Sequence, residues 1–309
     1  MTDIDAALVA AAHGRIRSRI RRTPILASGV GAFGLAISVT LKLELVQHSG
    51  SFKTRGAFNS ALGADHAPEG LLAASGGNHG LAVAYVARDL GLPAEIFVPA
   101  VSSAVKLERI AALGATVHVV GQVYDDAQAA CDERAAESES LLIHPYDQPH
   151  TVAGQATLGV EIMEQVPDVD TVVVALGGGG LAAGIAVSLP RSVRLVVVEP
   201  ETSCCFSAAL AAGHRVEVPV AGVAADSLGA GQIGSLAWSI LAERADSRTV
   251  SDESIMESRR RLWADARVVA EPGGATALGA LTSGTYAPGA DERVVVVVCG
   301  GNTDPSDLT

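Results

Sequence analysis

A lysine inside a run of small residues is the first candidate for chemistry in this chain. Lys53 follows Ser51 and Phe52, and the residues after it, 54–57, are typical of a helix start. A lysine at such a junction can be enclosed and desolvated, which lowers its pKa and lets the neutral amine form a Schiff base with an aldehyde. The alternative is an ordinary solvated lysine beside a helix, and this segment alone does not decide between the two.

A run of four glycines supplies a second candidate. It comprises Gly177, Gly178, Gly179 and Gly180, and it stands between a predicted strand and a predicted helix. Successive glycines let backbone N–H groups converge on one point, and the helix N-terminus adds the positive end of its dipole. The run therefore predicts an anion site suited to phosphate, in preference to a merely flexible turn.

The same glycines also fit a different cofactor. Gly178, Gly180 and Ala183 match the pattern Gly-x-Gly-x-x-Ala. Glu199 follows 19 residues after Gly180, at the end of the next predicted strand. This spacing is the fingerprint of a dinucleotide-binding site. An NAD-binding oxidoreductase is therefore an alternative, although it does not explain Lys53.

Another glycine-containing loop follows a predicted strand and opens a helix. It comprises Ser75, Gly76, Gly77, Asn78 and His79. Its backbone amides suit a second anion such as a carboxylate. Ser75 and Asn78 could equally be helix caps, and a histidine like His79 is more often structural. Two anion sites and a candidate Schiff-base lysine together fit a phosphate cofactor and a carboxylate substrate.

Short apolar strands alternate with helices along most of the chain, which predicts βαβ units, parallel sheets and an α/β fold. Predicted strands include 71–74, 94–98, 116–120, 171–175, 193–198 and 293–298; predicted helices include 78–90, 103–113 and 124–136. Gly91 and Gly114 stand where two of these helices should end. We predict a large domain of residues 1–45 plus 150–309 and a small domain of residues 46–149.

Composition limits the possible partners. Hydrophobic residues make up 49% of the chain and charged residues 18%, which is typical of a compact enzyme. The formal charge of 22 − 34 = −12 argues against nucleic acid and anionic membranes as partners. Cys131, Cys204, Cys205 and Cys299 show no Cys-x-x-Cys spacing, so neither a disulfide framework nor a zinc site is predicted.

No targeting segment is recognisable. The first residues lack the basic and apolar regions of a signal peptide. Residues 171–190 carry no charge over about the length of a membrane span, but the central glycines favour a buried strand, turn and helix. We expect a cytoplasmic protein.

Taken together, these segments resemble the fold-type II pyridoxal-phosphate enzymes, in the branch of the serine/threonine dehydratases and serine racemases. The resemblance runs nearly end to end and keeps its order. The segments that carry it are 22–24, 51–53, 75–80, 106–114, 144–145, 153–155, 177–180, 199–200, 271–275 and 299–302. It implies two open twisted sheets, as in the tryptophan synthase β subunit, with the active site between two domains. Because the chain stops soon after residue 302, we expect no C-terminal regulatory domain.

The resemblance also implies roles for individual residues. Lys53 would carry pyridoxal 5′-phosphate as a Schiff base, and Phe52 would pack against its ring. Asn78 would bond the 3′-oxygen, and Cys299 would face the pyridine nitrogen. The remaining cofactor-binding residues would be Gly177, Gly178, Gly179, Gly180, Leu181 and Glu271, and the substrate carboxylate would be held by Ser75, Gly76, Gly77, Asn78 and His79.

The activity that the resemblance implies is removal of water from a β-hydroxy amino acid, L-serine or L-threonine, to give a 2-oxo acid and ammonia. Cys299 favours this elimination, because a neutral thiol at the ring nitrogen leaves the ring a weaker electron sink than an aspartate would. A racemase or a β-replacement synthase is the alternative. Both amino acids are compatible with these residues, and the resemblance also implies a homodimer.

Two positions depart from the racemases. They have a serine where this chain has Gly76, and glycine cannot exchange a proton, so we do not expect efficient racemisation. Their cation site uses a glutamate that matches Glu199, a carbonyl that matches Ser203 and an aspartate that matches Cys205. Because a thiol is a poor ligand for magnesium or calcium, we expect that site to be weak or absent.

Overall fold

The computed structural model describes residues 4–102 and 104–308. The α-helices are α1 Ala6–Ile16, α2 Lys53–Leu62, α3 Asn78–Leu90, α4 Ala104–Ala111, α5 Tyr124–Ala136, α6 Pro149–Gln165, α7 Gly180–Ser188, α8 Cys205–Ala212, α9 Ala225–Leu228, α10 Ser235–Leu241, α11 Asp252–Ala266 and α12 Pro272–Thr282. The strands are β1 Ile25–Ala27, β2 Thr40–Lys42, β3 Leu71–Ala74, β4 Ala94–Val98, β5 Thr116–Val119, β6 Leu141–Leu142, β7 Thr171–Ala175, β8 Arg194–Pro200, β9 Ala245–Val250 and β10 Val294–Val297.

The chain divides into two compact units. The smaller comprises residues 1–21 and 47–155, and the larger comprises residues 22–46 and 156–309. Residues 1–21 therefore group with the smaller unit, whereas the predicted division joined them to the larger domain. The physical reason lies in α1, whose Ile16 is buried in the core of the smaller unit, while Arg15 Nη1 donates to Asn59 Oδ1 on α2 at 2.5 Å.

The smaller unit is built on a parallel sheet. Within the described residues the strand order is β5-β4-β3-β6, and each neighbouring pair is parallel. All four residues of β3 are buried, as expected of a strand that has helices on both faces. β3 is an inner strand of this sheet, and the short loop after its carboxyl end leads directly into α3.

The larger unit is built on a mixed sheet. Within the described residues the order is β1-β2-β10-β7-β8-β9, and only β1 runs antiparallel to its neighbour. Every residue of β10 is buried between β2 and β7, which explains why this strand is a run of valines. The predicted α/β fold with two mainly parallel sheets is confirmed.

Several local predictions can be compared with these elements. The uncharged stretch 171–190 is strand β7, a glycine turn and helix α7, as predicted. Gly91, with φ of 69°, is the left-handed cap that ends α3. Of the predicted helix 103–113, residue 103 lies outside the described residues, as do residues 1–3 and 309 of the predicted large domain. None of the described helices is both long and apolar enough to cross a bilayer.

A buried charge lies under β2 in the larger unit. The Lys42 side chain is fully buried, and its Nζ donates to Glu161 Oε2 at 2.7 Å, to Gln165 Oε1 at 2.8 Å and to the Thr23 carbonyl at 2.7 Å. Three acceptors satisfy all three N–H groups of an ammonium. Lys42 therefore joins β2 to α6 by a saturated set of hydrogen bonds.

Candidate active site

The amine of Lys53 lies at the first turn of α2 and is half-buried. Its Nζ donates to the Pro145 carbonyl at 2.7 Å and lies 5.1 Å from the centre of the Phe52 ring. The preceding residues reach this point through a tight loop, in which Ser49 has φ of 58° and its hydroxyl lies 2.7 Å from that of Thr54. The predicted Schiff-base lysine is thus held by its hydrogen bond to Pro145, and the loop before it is held by the contact between Ser49 and Thr54.

The turn that presents Pro145 is organised by a histidine. His144 Nδ1 accepts the backbone N–H of Asp147 at 2.9 Å, and burial is the main cause of the lowered pKa of His144. The charge of Lys53 lowers it further. A neutral ring is required if Nδ1 is to accept, so the buried imidazole and the lysine ammonium are compatible neighbours.

Helix α2 is fixed by a close crossing with α6. A Cβ at Gly154 would lie 2.6 Å from the Arg55 carbonyl oxygen and 2.7 Å from Gly56 Cα. Only glycine lets two backbones approach this closely. The crossing sits within the first turn of the helix that begins at Lys53, and it therefore determines where the amine stands.

The loop 75–79 places its side chains in different environments. Ser75 Oγ accepts the backbone N–H of Gly77 at 3.2 Å, and Asn78 is the first residue of α3. His79 is buried, and its Nε2 lies 2.7 Å from the Ile143 carbonyl. Burial, followed by the charge of Lys53, lowers the pKa of His79 to about 3. The neutral His79 ring thus anchors the first turn of α3 to the Ile143 carbonyl.

One polar side chain beside this loop could not be predicted from the sequence. The Ser102 hydroxyl lies next to Gly76, although 26 residues separate the two positions. Proximity of this kind arises from the parallel pairing of β3 with β4, which brings the segments after both strands to the same edge of the sheet. Nothing in the local pattern around Ser102 distinguishes it from an ordinary loop serine.

In the larger unit, the glycine run joins β7 to α7 as predicted. Gly179 is the N-cap of α7 with φ of 90°, and a Cβ there would lie 2.5 Å from the Ala237 Cβ. The left-handed backbone and the close packing both require glycine. The first amides of a helix lack intrahelical partners, and residue 179 has no side chain to cap them, so this turn is suited to hold a phosphate.

Two further segments of the larger unit bring predicted residues together. Glu271 is the N-cap of α12, and its N–H donates to the Gly300 carbonyl at 3.1 Å. Cys299 follows β10, is buried, and directs its thiol to the Gly273 carbonyl at 3.6 Å. Leu181 is buried in the first turn of α7. Cys299, just after the carboxyl end of β10, and Glu271 thus both lie beside the start of α12.

The Glu199 carboxylate accepts hydrogen bonds from the protein's own backbone. Its carboxylate oxygens accept the amides of Phe206 and Ser207, both at 2.8 Å, at the start of α8. Burial raises the pKa of Glu199 to about 7 against the effect of these bonds. Burial also raises the pKa of the Cys205 thiol to about 12, and Cys205 Sγ donates to the Gly177 carbonyl at 3.4 Å. Glu199 therefore caps a helix, which is not the ribose contact that the dinucleotide interpretation requires.

The predicted site residues thus fall into two groups. The first, in the smaller unit, joins Lys53 and Phe52 with the loop 75–79. The second, in the larger unit, comprises the glycine run, Leu181, Glu271 and Cys299. The roles assigned to them stay predictions.

The chain belongs to a known enzyme family. Residues 16–300 match the sequence model of a family described as "Pyridoxal-phosphate dependent enzyme". The protein is therefore a pyridoxal-phosphate enzyme, and the nicotinamide alternative is set aside.

Individual relatives lie in the dehydratase and racemase branch. The chain is 39% identical to a Sinorhizobium fredii protein named provisionally as a threonine dehydratase, over 95% of this chain and 90% of that one. It is 33% identical to the L-threonine ammonia-lyase of Thermotoga maritima, over 95% and 74%. The solved structure of maize serine racemase matches with a TM-score of 0.93 at 30% identity, over 98% and 95%. The resemblance inferred from the motifs is confirmed.

The residues present fit this cofactor. Gly179 opens a turn where a side chain would collide, which suits the phosphate. A half-buried primary amine at Lys53 suits the aldehyde, and the buried thiol of Cys299 is a neutral group suited to the ring nitrogen. Each has the chemical type that its predicted partner on the cofactor needs.

Proposed function

We propose that this protein is a pyridoxal-phosphate ammonia-lyase that removes water from a β-hydroxy amino acid such as L-serine or L-threonine. The products are a 2-oxo acid and ammonia. When bound, the cofactor withdraws electrons from the amino acid and so makes its α-proton acidic. The relatives at 39% and 33% identity, named for this reaction, support the proposal.

Lys53 has two tasks in this proposal. Its Nζ would hold the cofactor, and the same nitrogen, when free, would take the α-proton of the bound amino acid. The Pro145 carbonyl, 2.7 Å away, orients the amine. The carbonyl would hold the resulting ammonium until its proton leaves, and the β-hydroxyl would depart together with one proton as water.

One observation favours a lyase over a racemase. Residue 76 of the substrate loop is glycine, which offers no side chain to exchange a proton on the opposite face of the substrate. Without a proton-exchanging side chain at residue 76, removal of the α-proton by Lys53 is not matched by its return from that position, which suits elimination. Racemisation is the second candidate because of the likeness to maize serine racemase.

The direct test is a product assay with purified protein. We expect ammonia and the matching 2-oxo acid from L-serine or L-threonine, a visible absorbance band from the bound cofactor, and loss of both in Lys53→Ala. The control is Lys106→Ala, which removes a lysine of α4 and should leave the band and the products unchanged. D-serine as the main product would contradict the lyase assignment, and absence of the band would contradict the site.

We also propose that the enzyme is a cytoplasmic homodimer whose partner molecule is a free amino acid. The net charge of −12 argues against nucleic acid and anionic membranes as partners, and the dimer is supported by the family resemblance alone. Size-exclusion chromatography with light scattering tests the dimer. A panel of L-serine, L-threonine, 3-hydroxyaspartate and phenylserine, scored by ammonia release, identifies the preferred substrate.

A further inference from the structure

The backbone at Gly76 is covered by the side chain of another segment. A Cβ at residue 76 would lie 2.9 Å from Ser102 Oγ, 3.3 Å from Ser102 Cβ and 3.5 Å from Val98 Cγ1. The first of these distances is one that real Cβ atoms almost never show. The Ser102 side chain therefore takes up the space that any side chain at residue 76 would need.

Ser102 is held there by a turn after β4. Its N–H donates to the Pro99 carbonyl at 3.0 Å, and its side chain is half-buried. Within residues 4–102 and 104–308, the Ser102 hydroxyl has no hydrogen-bond partner. By contrast, Ser75 Oγ accepts the Gly77 amide, and the His79 ring is bound to Ile143. Ser102 is thus a hydroxyl beside the substrate loop whose donor is still uncommitted.

We propose that the Ser102 hydroxyl is a substrate-binding group, which donates a hydrogen bond to the carboxylate of the bound amino acid. This inference rests on the proposed function, since it assigns the carboxylate to the loop 75–79. An O–H donor to a carboxylate makes a charge-assisted bond, which is stronger than a bond between neutral groups. Residue 76 is glycine because a side chain there would displace this donor.

The first experiment removes the hydroxyl. We expect Ser102→Ala to raise KM for L-serine and L-threonine about tenfold or more with kcat nearly unchanged, the loss typical of one hydrogen bond to a charged group. Ser102→Thr keeps the hydroxyl and should restore most of the affinity. Ser138→Ala, which removes a serine bonded to the Arg134 carbonyl in α5, is the matched control and should leave KM unchanged.

The second experiment tests the link to residue 76. Gly76→Ala should raise KM by a similar factor, because the new Cβ forces the Ser102 hydroxyl away. The double variant Gly76→Ala/Ser102→Ala should then bind no more weakly than Ser102→Ala alone. Titration of the cofactor band with L-alanine, which has the carboxylate but no leaving group, measures binding without turnover. Additive effects of the two substitutions would overturn the inference.

The readouts separate the two proposals. If the wild-type protein shows no cofactor band and releases no ammonia, the proposed function itself fails. If the wild-type protein is active and Ser102→Ala keeps the wild-type KM, the inference fails and the proposed function stands. An active Ser102→Ala that loses only D-serine formation would also overturn it, because that result assigns the hydroxyl to proton exchange.

Discussion

At the scale of single residues, the environment of a side chain decides its role more than its type does. His79 belongs to a loop predicted to bind substrate, yet its ring is buried, has a pKa lowered to about 3 and is bonded to the Ile143 carbonyl. Lys53, in the same unit, keeps its amine half-buried and bonded to a carbonyl. Burial keeps the His79 ring neutral, whereas the amine of Lys53 remains partly exposed.

His79 should make the protein sensitive to acid. Its pKa is 6.5 in the unfolded chain and about 3 when folded, so the unfolded state binds the proton first and stability is lost as pH falls below 6.5. At pH 5 the loss is about 2 kcal/mol, from ~1.4 kcal/mol per pH unit. In His79→Gln this contribution disappears, so denaturant unfolding at pH 5 and pH 7.5 should show a smaller difference than in the wild type. An equal difference in both proteins would refute this assignment.

At the scale of elements, one crossing of two helices fixes the lysine that is predicted to be catalytic. Helix α2 begins at Lys53 and meets α6 where Gly56 faces Gly154. The motif residues around Lys53 and Gln155 are therefore explained in large part by backbone packing. A shift of α2 would carry the amine of Lys53 with it.

A single methyl group should disturb this crossing. In Gly154→Ala the new Cβ would meet backbone atoms at 2.6 and 2.7 Å, so the helices must separate. We expect a loss of about 1–3 kcal/mol in unfolding free energy and a lower kcat. The matched control is Gly14→Ala in α1, where nothing lies within 4 Å of the new Cβ, and there we expect a gain of about 0.5–1 kcal/mol. If Gly154→Ala and Gly14→Ala changed the melting temperature equally, the close packing at Gly154 would not contribute to stability as we expect.

The elements were largely predictable from the sequence, but the side-chain contacts were not. Alternating apolar segments and glycine stops predicted β3, β4, β7 and β10 because burial leaves a local signature. Ser102 could not be found, since its approach to Gly76 depends on strand pairing. Glu199 matched a ribose-binding position by spacing, yet its carboxylate turns inward to cap α8. Spacing along the chain does not encode the direction of a side chain.

At the scale of the whole molecule, the predicted cofactor contacts are distributed over both compact units. Lys53 belongs to one unit, and the glycine run 177–180 and Cys299 belong to the other. A ligand that binds the folded chain and not the unfolded one stabilises the fold by mass action. The cofactor should therefore contribute to the stability of the protein as well as to its chemistry.

Removing pyridoxal phosphate should lower the melting temperature. At a free concentration 100 times Kd, the cofactor adds about 2.7 kcal/mol to the unfolding free energy. Calorimetry of the stripped and reloaded protein measures the difference. Lys53→Ala, which cannot form the covalent link, should show a smaller rise on reloading. An unchanged melting temperature in the wild type would contradict a cofactor bound only by the folded chain.

The buried ammonium of Lys42 limits which substitutions this sequence can accept as it evolves. Replacing either Lys42 or Glu161 alone breaks a buried ion pair inside the larger unit, at a cost of about 3–5 kcal/mol, whereas replacing both with apolar residues of similar volume can be neutral. Natural descendants of this sequence should therefore change the two positions together or not at all. In a collection of its orthologues, β2 and α6 should covary at this pair.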